Sequence, residues 1–201
     1  MRASTRREFI AGPAGRIECA VDSPDAGTSG GARGVALIAH PHPLYGGTLD
    51  NKVVQTLARV FVDLGYESWR PNFRGVGQTE GVHDEGRGEL DDLLAIVGKI
   101  APRTLVLGGF SFGASLVARL AERVKPEWLV LVGLGITRLE APPVAPGTLV
   151  IHGETDDTVP LAAVLDWARP QELPVVVVPG ADHYFHRKLH VIKRIVQAHW
   201  K

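Results

Sequence analysis

Short apolar runs alternate with segments of helical period along most of this chain. The runs predict strands at residues 35–39, 67–70, 104–107, 128–132, 148–151 and 175–178. The periodic segments predict helices at residues 51–64, 89–100, 114–124, 160–167 and 184–200. Short apolar strands separated by amphipathic helices are typical of a mainly parallel sheet that is covered by helices on both faces. We therefore expect an α/β fold.

An antiparallel hairpin precedes this alternation. Residues 8–11 and 16–21 alternate in polarity, and Gly-Pro-Ala-Gly at residues 12–15 separates them. The hairpin raises the predicted number of strands to eight. A polar stretch rich in Gly, Ser and Asp at residues 22–34 predicts an exposed loop before the first parallel strand. With 45% hydrophobic content, the chain suits a single domain over residues 1–201, built around one core.

Charge and cysteine content limit the partners that we expect. The 22 basic and 22 acidic residues cancel, so a charged surface for nucleic acid or anionic lipid is not expected. We expect a small-molecule partner and neither nucleic acid nor a membrane. Cys19 is the only cysteine, which excludes an internal disulfide and a cysteine-based zinc site. Its place in an alternating segment predicts a packed strand residue.

The N-terminal segment resembles an export signal in one respect. Thr-Arg-Arg-Glu-Phe-Ile at residues 5–10 is similar to a twin-arginine motif, but Ala-Gly-Pro-Ala-Gly-Arg follows where such a signal requires an apolar stretch. No run approaches the roughly 18 apolar residues of a membrane span. We expect a soluble, cytoplasmic protein.

Gly-Phe-Ser-Phe-Gly at residues 109–113 is the motif that points to chemistry. It stands between a predicted strand and a predicted helix, which is the context of a nucleophile elbow. In such an elbow the chain reverses within a few residues, and the central residue, here Ser111, has strained dihedral angles that present its side chain above the strand ends. A Cβ atom at Gly109 or Gly113 should collide with the neighbouring strand or helix.

A serine hydroxyl is a poor nucleophile near neutral pH, so it needs a base and an acid that orients the base. In a parallel sheet such groups lie beyond the carboxyl ends of the strands. Asp156 and Asp157 follow the seventh predicted strand, and His183 follows the eighth. Both segments come after Ser111, in the chain order Ser, Asp, His that α/β-hydrolases show.

Other residues near these positions compete for the two roles. Asp157 could replace Asp156, whereas Asp182 is less suited because it directly precedes the base. His186 could replace His183, but we expect it within the final helix rather than at the strand end.

These motifs resemble those of the α/β-hydrolase superfamily, and the resemblance covers nearly the whole chain. The family shows His-Gly-x-x-Asp-x-x-Val-Pro around its acid, and residues 152–160 match this pattern. It shows Gly-x-x-His at its base, which residues 180–183 match. The resemblance implies an α/β-hydrolase fold with Ser111 as nucleophile, His183 as base and Asp156 as acid.

Two further segments resemble a small, lidless bacterial subgroup that is distantly similar to dienelactone hydrolases. They are the HPHPxxGG loop at residues 40–47 and Asn-Phe-Arg-Gly-Val-Gly at residues 72–77. Dienelactone hydrolases use a cysteine where this chain has Ser111, so their reaction is not carried over. We expect Arg74 to hold the 72–79 loop through hydrogen bonds rather than to bind a substrate anion.

Acyl transfer also needs two hydrogen-bond donors for the oxyanion that forms on the substrate carbonyl. One should be the backbone N–H of Phe112, directly after the nucleophile. The other should come from the loop after the first parallel strand, whose prolines have no N–H. That leaves His42, Leu44 and Tyr45, and we favour Leu44.

The site should be open to solvent. Many α/β-hydrolases insert a helical lid before the strand that bears the acid, but residues 133–147 are too short and too rich in proline to form one. An open site favours small to medium acyl esters over long lipids. The residues that we expect at its border are Leu44, Tyr45, Phe112, Ile136 and Tyr184, and we expect Tyr45, Ile136 and Tyr184 to bind substrate.

Two histidine pairs have spacings found among metal ligands, His40 with His42 and His186 with His190. Neither has a third ligand, and catalytic zinc sites usually take three from the protein. We expect neither a metal ion nor another cofactor.

The sequence therefore predicts a serine hydrolase that cleaves acyl esters through an acyl-enzyme intermediate. A thioesterase is the nearest alternative, because the same groups accept either leaving group. A peptidase is less favoured, since an amide is a harder bond to cleave. The intact triad argues against a non-catalytic binding protein, and the spacing of the glycines at residues 108–113 argues against a dinucleotide site.

Overall fold

The computed structural model describes residues 5–24 and 32–200. Its strands are β1 (Thr5–Gly12), β2 (Gly15–Asp22), β3 (Val35–Ala39), β4 (Glu67–Pro71), β5 (Leu105–Phe110), β6 (Trp128–Val132), β7 (Leu149–Gly153) and β8 (Val175–Val178). They form one eight-stranded sheet in the order β1-β2-β4-β3-β5-β6-β7-β8.

The sheet is parallel except at its first edge. β1 pairs antiparallel with β2, from Thr5 opposite Asp22 to Gly12 opposite Gly15, and β2 pairs antiparallel with β4. The other neighbouring strands pair parallel. The predicted hairpin and the predicted mainly parallel sheet are confirmed. Part of the loop predicted at residues 22–34, namely residues 25–31, lies outside the described residues.

The helices cover both faces of the sheet. They are α1 (Lys52–Asp63), α2 (Arg87–Ile100), α3 (Phe112–Val124), α4 (Leu161–Ala168) and α5 (Leu189–His199). Val35 and Leu37 of β3 belong to a buried cluster with α2, α3 and α4, whereas Ala36 and Ile38 belong to a second cluster with α1 and α5. Successive strand residues point to opposite faces, so continuously apolar strands supply both clusters.

Cys19 on β2 is fully buried and belongs to the cluster that β2 shares with α2. The prediction of a packed strand residue is confirmed. Burial raises the pKa of its thiol to about 12, and a protonated, enclosed thiol is a poor nucleophile.

The last helix begins later than predicted, at Leu189 rather than at residue 184. The carboxylate of Asp182 accepts the N–H of His186 at 3.0 Å, and the carbonyl oxygen of Asp182 accepts the N–H of Phe185 at 3.1 Å. Phe185 has a φ of 53° and is fully buried. Because these turns precede the helix, the prediction that His186 lies within it is wrong.

In the described part of the chain, no lid covers the carboxyl edge of the parallel strands. Residues 133–147 form turns and irregular backbone between β6 and β7, without a helix, as predicted. Of the helices in residues 5–24 and 32–200, none combines the length and the apolar character that crossing a membrane requires.

Candidate active site

The chain reverses sharply at Ser111, between β5 and α3. Ser111 has a φ of 55° and a ψ of −121°, which an L-residue rarely adopts. Its N–H donates to the carbonyl of Val132 at 3.0 Å, and its carbonyl oxygen accepts the N–H groups of Ala114 at 2.9 Å and Gly135 at 3.1 Å. Hydrogen bonds to β6, to α3 and to the loop after β6 thus hold the strained backbone that the elbow motif predicts.

Gly109 and Gly113 allow the two arms of this turn to approach closely. A Cβ atom on Gly109 would lie 2.5 Å from the carbonyl oxygen of Gly113 in α3. A Cβ atom on Gly113 would lie 2.5 Å from the carbonyl oxygen of Ala39, at the end of β3. The predicted collisions with helix and strand are confirmed. Without side chains at these positions, α3 can begin directly beside the ends of β3 and β5.

The side chains of Ser111, His183 and Asp156 form one hydrogen-bonded chain. Nε2 of His183 lies 3.0 Å from Oγ of Ser111, and Nδ1 of His183 lies 2.7 Å from Oδ2 of Asp156. An ionised carboxylate can only accept, so Nδ1 carries the proton and Nε2 accepts from the serine hydroxyl. The structure therefore brings together the three residues that the sequence nominated, each from a loop at the carboxyl edge of the sheet.

The turn after β7 keeps the Asp156 carboxylate charged and oriented. Its Oδ1 accepts the N–H groups of Thr158 at 3.0 Å and Val159 at 2.8 Å. Burial alone would raise the pKa of Asp156, but the hydrogen bonds from His183 and from the Val159 N–H hold that pKa below its usual value. A carboxylate that remains ionised near neutral pH can stabilise a positive charge on His183.

His152, at the end of β7, supports the same turn. Its Nε2 lies 2.9 Å from the carbonyl oxygen of Val159 and 3.4 Å from Oδ2 of Asp156. Burial lowers the pKa of His152, which favours a neutral ring that donates from Nε2 to the Val159 carbonyl. In the sequence, His152 stands out only as the first residue of the motif at residues 152–160, and the structure adds its contact with the Val159 carbonyl.

The alternative acid and base do not join the chain of hydrogen bonds. Asp157 is exposed, and its carboxylate accepts from the hydroxyl of Thr158. Nδ1 of His186 lies 2.6 Å from Oδ2 of Asp182, and both side chains are largely exposed. The hydrogen bond with His186 lowers the pKa of Asp182, so these two residues form a surface pair of their own.

Two backbone N–H groups near Ser111 have no hydrogen-bond partner among the described residues. Phe112 is the first residue of α3, so its N–H has no partner within the helix. In the loop after β3, the N–H of Leu44 donates to Nδ1 of His42 at 3.3 Å, and the N–H of Tyr45 donates to the carbonyl of His42 at 3.1 Å. None of the hydrogen bonds of the described residues uses the N–H of His42. The expectation that the Leu44 N–H is available is therefore corrected: of His42, Leu44 and Tyr45, His42 is the one whose N–H is not engaged in the described part of the chain.

The sequence did contain a signal for this correction. Pro43 is the first residue of a short 3₁₀ helix, Pro43–Tyr45, and His42 is its N-cap. Proline is common at the first helical position, directly after a capping residue, and the cap takes the N–H of the second or third helical residue. In the structure the side chain of His42 accepts the Leu44 N–H in this way.

His40 fixes the loop that carries His42. Its Nδ1 lies 2.6 Å from the carbonyl oxygen of Pro41, and its Nε2 accepts the N–H of Phe73 at 3.0 Å. Burial lowers the pKa of His40 to about 4, so the ring is neutral at neutral pH and its proton lies on Nδ1. Both ring nitrogens are engaged by the backbone, and neither is free to bind a metal ion. In the parts of the chain that are described, no group of three His, Cys, Asp or Glu residues is placed to hold one.

A cleft of about 180 Å³ lies over Ser111. Tyr45, Phe112 and Tyr184 line it, as predicted. Leu44 and Ile136 do not: the Leu44 side chain is 70% exposed, and Ile136 packs against the core cluster that contains α3. These two predicted positions are corrected, because the 3₁₀ helix turns Leu44 outward and the loop after β6 places Ile136 on the core.

The cleft also includes Asn51, Arg138 and Thr158, which were not predicted from the sequence.

Arg74 is hydrogen-bonded to α2. It donates from Nε and Nη2 to the carboxylate of Asp92, at 2.8 Å each, and from Nη2 to the carbonyl of Gly88 at 2.7 Å. Arg74 therefore joins its loop to α2, in agreement with the structural role expected for it.

Several bacterial proteins are similar to this chain over most of its length. No protein-family model matches the chain. An uncharacterised protein of Rickettsia prowazekii is 33% identical in an alignment that covers 90% of this chain and 82% of that protein. An α/β serine hydrolase without a lid from Xanthomonas campestris has 34% identity and a TM-score of 0.86, over 99% of this chain and 94% of that chain. An α/β serine hydrolase homologue from Coxiella burnetii has 34% identity and a TM-score of 0.83, over 96% of each chain.

Proposed function

Since the chain belongs to the α/β serine hydrolases without a lid, we propose that it is an esterase that cleaves small to medium acyl esters with Ser111 as its nucleophile. The observation that carries this proposal is the continuous hydrogen-bonded chain from Ser111 Oγ through His183 to Asp156, with distances of 3.0 and 2.7 Å. Both distances lie in the range expected of a nucleophile, its base and an orienting acid.

The first half of the reaction forms an acyl-enzyme. Oγ of Ser111 attacks the acyl carbonyl carbon while Nε2 of His183 takes the hydroxyl proton. Asp156 stabilises the imidazolium ion that results. When the tetrahedral intermediate collapses, the bond to the leaving alcohol breaks and His183 donates its proton to the alcohol oxygen.

The second half releases the acid. A water molecule takes the place of the alcohol, His183 accepts one of its protons, and the hydroxide oxygen attacks the acyl carbon. Collapse of the second tetrahedral intermediate breaks the ester to Ser111, and His183 returns a proton to Oγ. The net reaction consumes one ester and one water and yields one acid and one alcohol.

The N–H groups of Phe112 and His42 stabilise the oxyanion in both halves. A donor of this kind typically contributes about 3 kcal/mol of transition-state stabilisation. The neutral ring of His40 supports this arrangement, because it ties the Pro41 carbonyl to the Phe73 N–H and so limits movement of the peptide that presents the His42 N–H.

The dimensions of the cleft favour a short acyl group. Its volume of about 180 Å³ is below the roughly 300–1,000 Å³ of pockets that enclose drug-sized ligands. No lid segment within residues 5–24 and 32–200 lies over it, so a larger alcohol part can extend into solvent.

The test compares hydrolysis of p-nitrophenyl acetate and butyrate by the wild type and by Ser111→Ala. We expect the substitution to lower kcat by at least about a thousandfold, because the nucleophile is lost. Ser115→Ala, one turn further along α3, is the matched control: Ser115 is buried, its hydroxyl has no hydrogen-bond partner among the described residues, and it does not line the cleft.

Equal turnover by the wild type and Ser111→Ala would contradict the proposal. Mass spectrometry after treatment with a fluorophosphonate provides a second readout, with one adduct expected on Ser111 in the wild type and none in Ser111→Ala. The thioesters of the same acyl groups, assayed in parallel, distinguish an esterase from a thioesterase.

A further inference from the structure

Arg138 gives the cleft a positive charge that the proposed reaction does not use. Among the described residues that line the cleft, Arg138 is the one Arg or Lys, and no Asp or Glu is present. The triad carboxylate of Asp156 is buried behind His183 and is already engaged by three hydrogen bonds. A substrate group that enters the cleft therefore meets one guanidinium ion and no opposing carboxylate.

Tyr45 holds the guanidinium group in place. Nη1 of Arg138 donates to the Tyr45 hydroxyl at 3.0 Å, and the guanidinium carbon lies 4.6 Å from the centre of the Tyr45 ring. Within residues 5–24 and 32–200, the ion pairs do not include Arg138. A guanidinium group carries five N–H donors, so most of them remain available to a ligand.

The backbone of Arg138 is linked to the nucleophile through its own loop. The N–H of Arg138 donates to the carbonyl of Gly135 at 3.1 Å, and the N–H of Gly135 donates to the carbonyl of Ser111 at 3.1 Å. The loop that carries the Arg138 guanidinium group is therefore hydrogen-bonded to the elbow. Because this link fixes the loop relative to Ser111, Arg138 is suited to select substrates.

His183 and Arg138 contact different aromatic residues of the cleft. The leaving alcohol must lie against His183, which gives it a proton, and the His183 ring packs on Tyr184 with centroids 5.2 Å apart. Tyr45, which holds Arg138, packs instead on His42, the second oxyanion donor, at 4.9 Å. When the alcohol occupies the His183 side, the acyl part extends on the side of His42, Tyr45 and Arg138.

We propose that this enzyme prefers acyl groups that end in a carboxylate, as in the half-esters of short dicarboxylic acids, and that Arg138 binds that carboxylate with the Tyr45 hydroxyl as a second donor. The proposal rests on the proposed esterase function. A planar guanidinium group matches the two oxygens of a carboxylate. The small cleft requires a short chain between the ester and the acid.

The test uses the monoethyl esters of succinate, glutarate and adipate, each beside the ethyl ester in which a primary amide replaces the free carboxylate. The amide has nearly the same shape and no charge. The measured quantity is the ratio of kcat/KM for the acid to kcat/KM for its amide, from ethanol release. The proteins are the wild type, Arg138→Gln, Arg138→Lys and the control Arg169→Gln, whose side chain is exposed, paired with Asp166 and outside the cleft.

In the wild type we expect at least one half-ester to exceed its amide in kcat/KM by about tenfold, the effect of a charge-assisted hydrogen bond. Arg138→Gln should remove that preference, Arg138→Lys should retain part of it, and Arg169→Gln should keep it. Because Arg138 is exposed, added NaCl should lower the wild-type ratio as it screens the interaction.

A ratio near one in the wild type, or a ratio that Arg138→Gln leaves unchanged, would overturn the inference. The inference would also be overturned if a preference that depends on Arg138 were found only for esters whose carboxylate lies on the alcohol part. O-acetylglycolate and its amide test this case. These outcomes differ from failure of the esterase proposal, in which the wild type and Ser111→Ala hydrolyse all the esters equally. Thermal unfolding of each variant shows that it is folded.

Discussion

Nδ1 of His183 lies 2.7 Å from Oδ2 of Asp156, and both side chains are buried. The second carboxylate oxygen accepts the N–H groups of Thr158 and Val159. Rotation of the carboxylate would break these three hydrogen bonds together, so the orientation of the His183 ring is fixed by the backbone of the turn after β7.

Asp156→Asn is predicted to lower kcat for ester hydrolysis by about ten-thousandfold, the effect of the wrong tautomer in such a triad. The asparagine side chain can donate to Nδ1, which places the proton of the neutral imidazole on Nε2, where it cannot accept from Ser111. The matched control is Asp157→Asn, which changes the adjacent exposed carboxylate and should leave kcat within about twofold of the wild type. Similar losses in both variants would show that the turn, rather than this carboxylate, matters.

The His42 N–H is predicted to contribute to the rate independently of the His42 side chain. His42 has a φ of −55°, which proline can adopt. His42→Pro therefore removes the N–H, and residue 42 can keep its φ. His42→Ala removes the same imidazole and keeps the N–H. We expect kcat of His42→Pro to be about a hundredfold below that of His42→Ala. Equal kcat values for the two variants would exclude this N–H as an oxyanion donor.

The elbow is predicted to be intolerant of a single added methyl group. In Gly113→Ala, the new Cβ would lie 2.5 Å from the Ala39 carbonyl oxygen, so β3 or α3 must move. We expect a loss of about 1–3 kcal/mol in the free energy of unfolding, together with a loss of esterase activity as Ser111 shifts. Urea denaturation and the p-nitrophenyl ester assay measure the two effects.

Gly98→Ala is the control for that substitution. Gly98 lies within α2, and a Cβ there would have no neighbour within 4 Å. Alanine in an exposed helix interior should raise the free energy of unfolding by roughly 0.5–1 kcal/mol, with no change in activity. A Gly113→Ala protein as stable as the wild type would show that the turn can relax around the extra atom.

The sequence predicts the bounds of a strand correctly where the strand is a continuous apolar run. The strands at Val35–Ala39, Trp128–Val132 and Val175–Val178 have the predicted bounds, because continuous β-branched and apolar runs have few alternatives between helices. The sequence also predicts that Ser111, His183 and Asp156 lie close together, since each follows a predicted strand end and a parallel sheet gathers those ends at one edge; their side chains are hydrogen-bonded in the structure.

Specific hydrogen bonds, two of them local and one between distant residues, decided what the sequence did not predict. The segment before Leu189 has helical spacing, yet the hydrogen bonds that Asp182 accepts hold it in turns and delay the helix. Arg138 reaches the cleft only because its loop is hydrogen-bonded to the elbow through Gly135, a contact between residues distant in sequence. The Leu44 N–H is occupied because His42 caps the short 3₁₀ helix that follows it.

The burial of His40 predicts that stability falls as the pH is lowered below neutral. Burial lowers the pKa of His40 from 6.5 to about 4, so between these values the unfolded chain binds a proton that the folded protein does not. Stability therefore rises with pH across this window. With these two values, His40 alone should make the free energy of unfolding about 2 kcal/mol lower at pH 5 than at pH 7.

His40→Asn isolates this contribution from those of His42 and His152, whose pKa values are also lowered by burial. The variant should be less stable than the wild type at pH 7, because it loses the acceptor for the Phe73 N–H, but its stability should change less between pH 7 and pH 5. Urea denaturation at both pH values measures the difference. Equal changes in the two proteins would mean that His40 is protonated in the folded state at pH 5, and that the loop presenting the His42 N–H opens more readily than its burial implies.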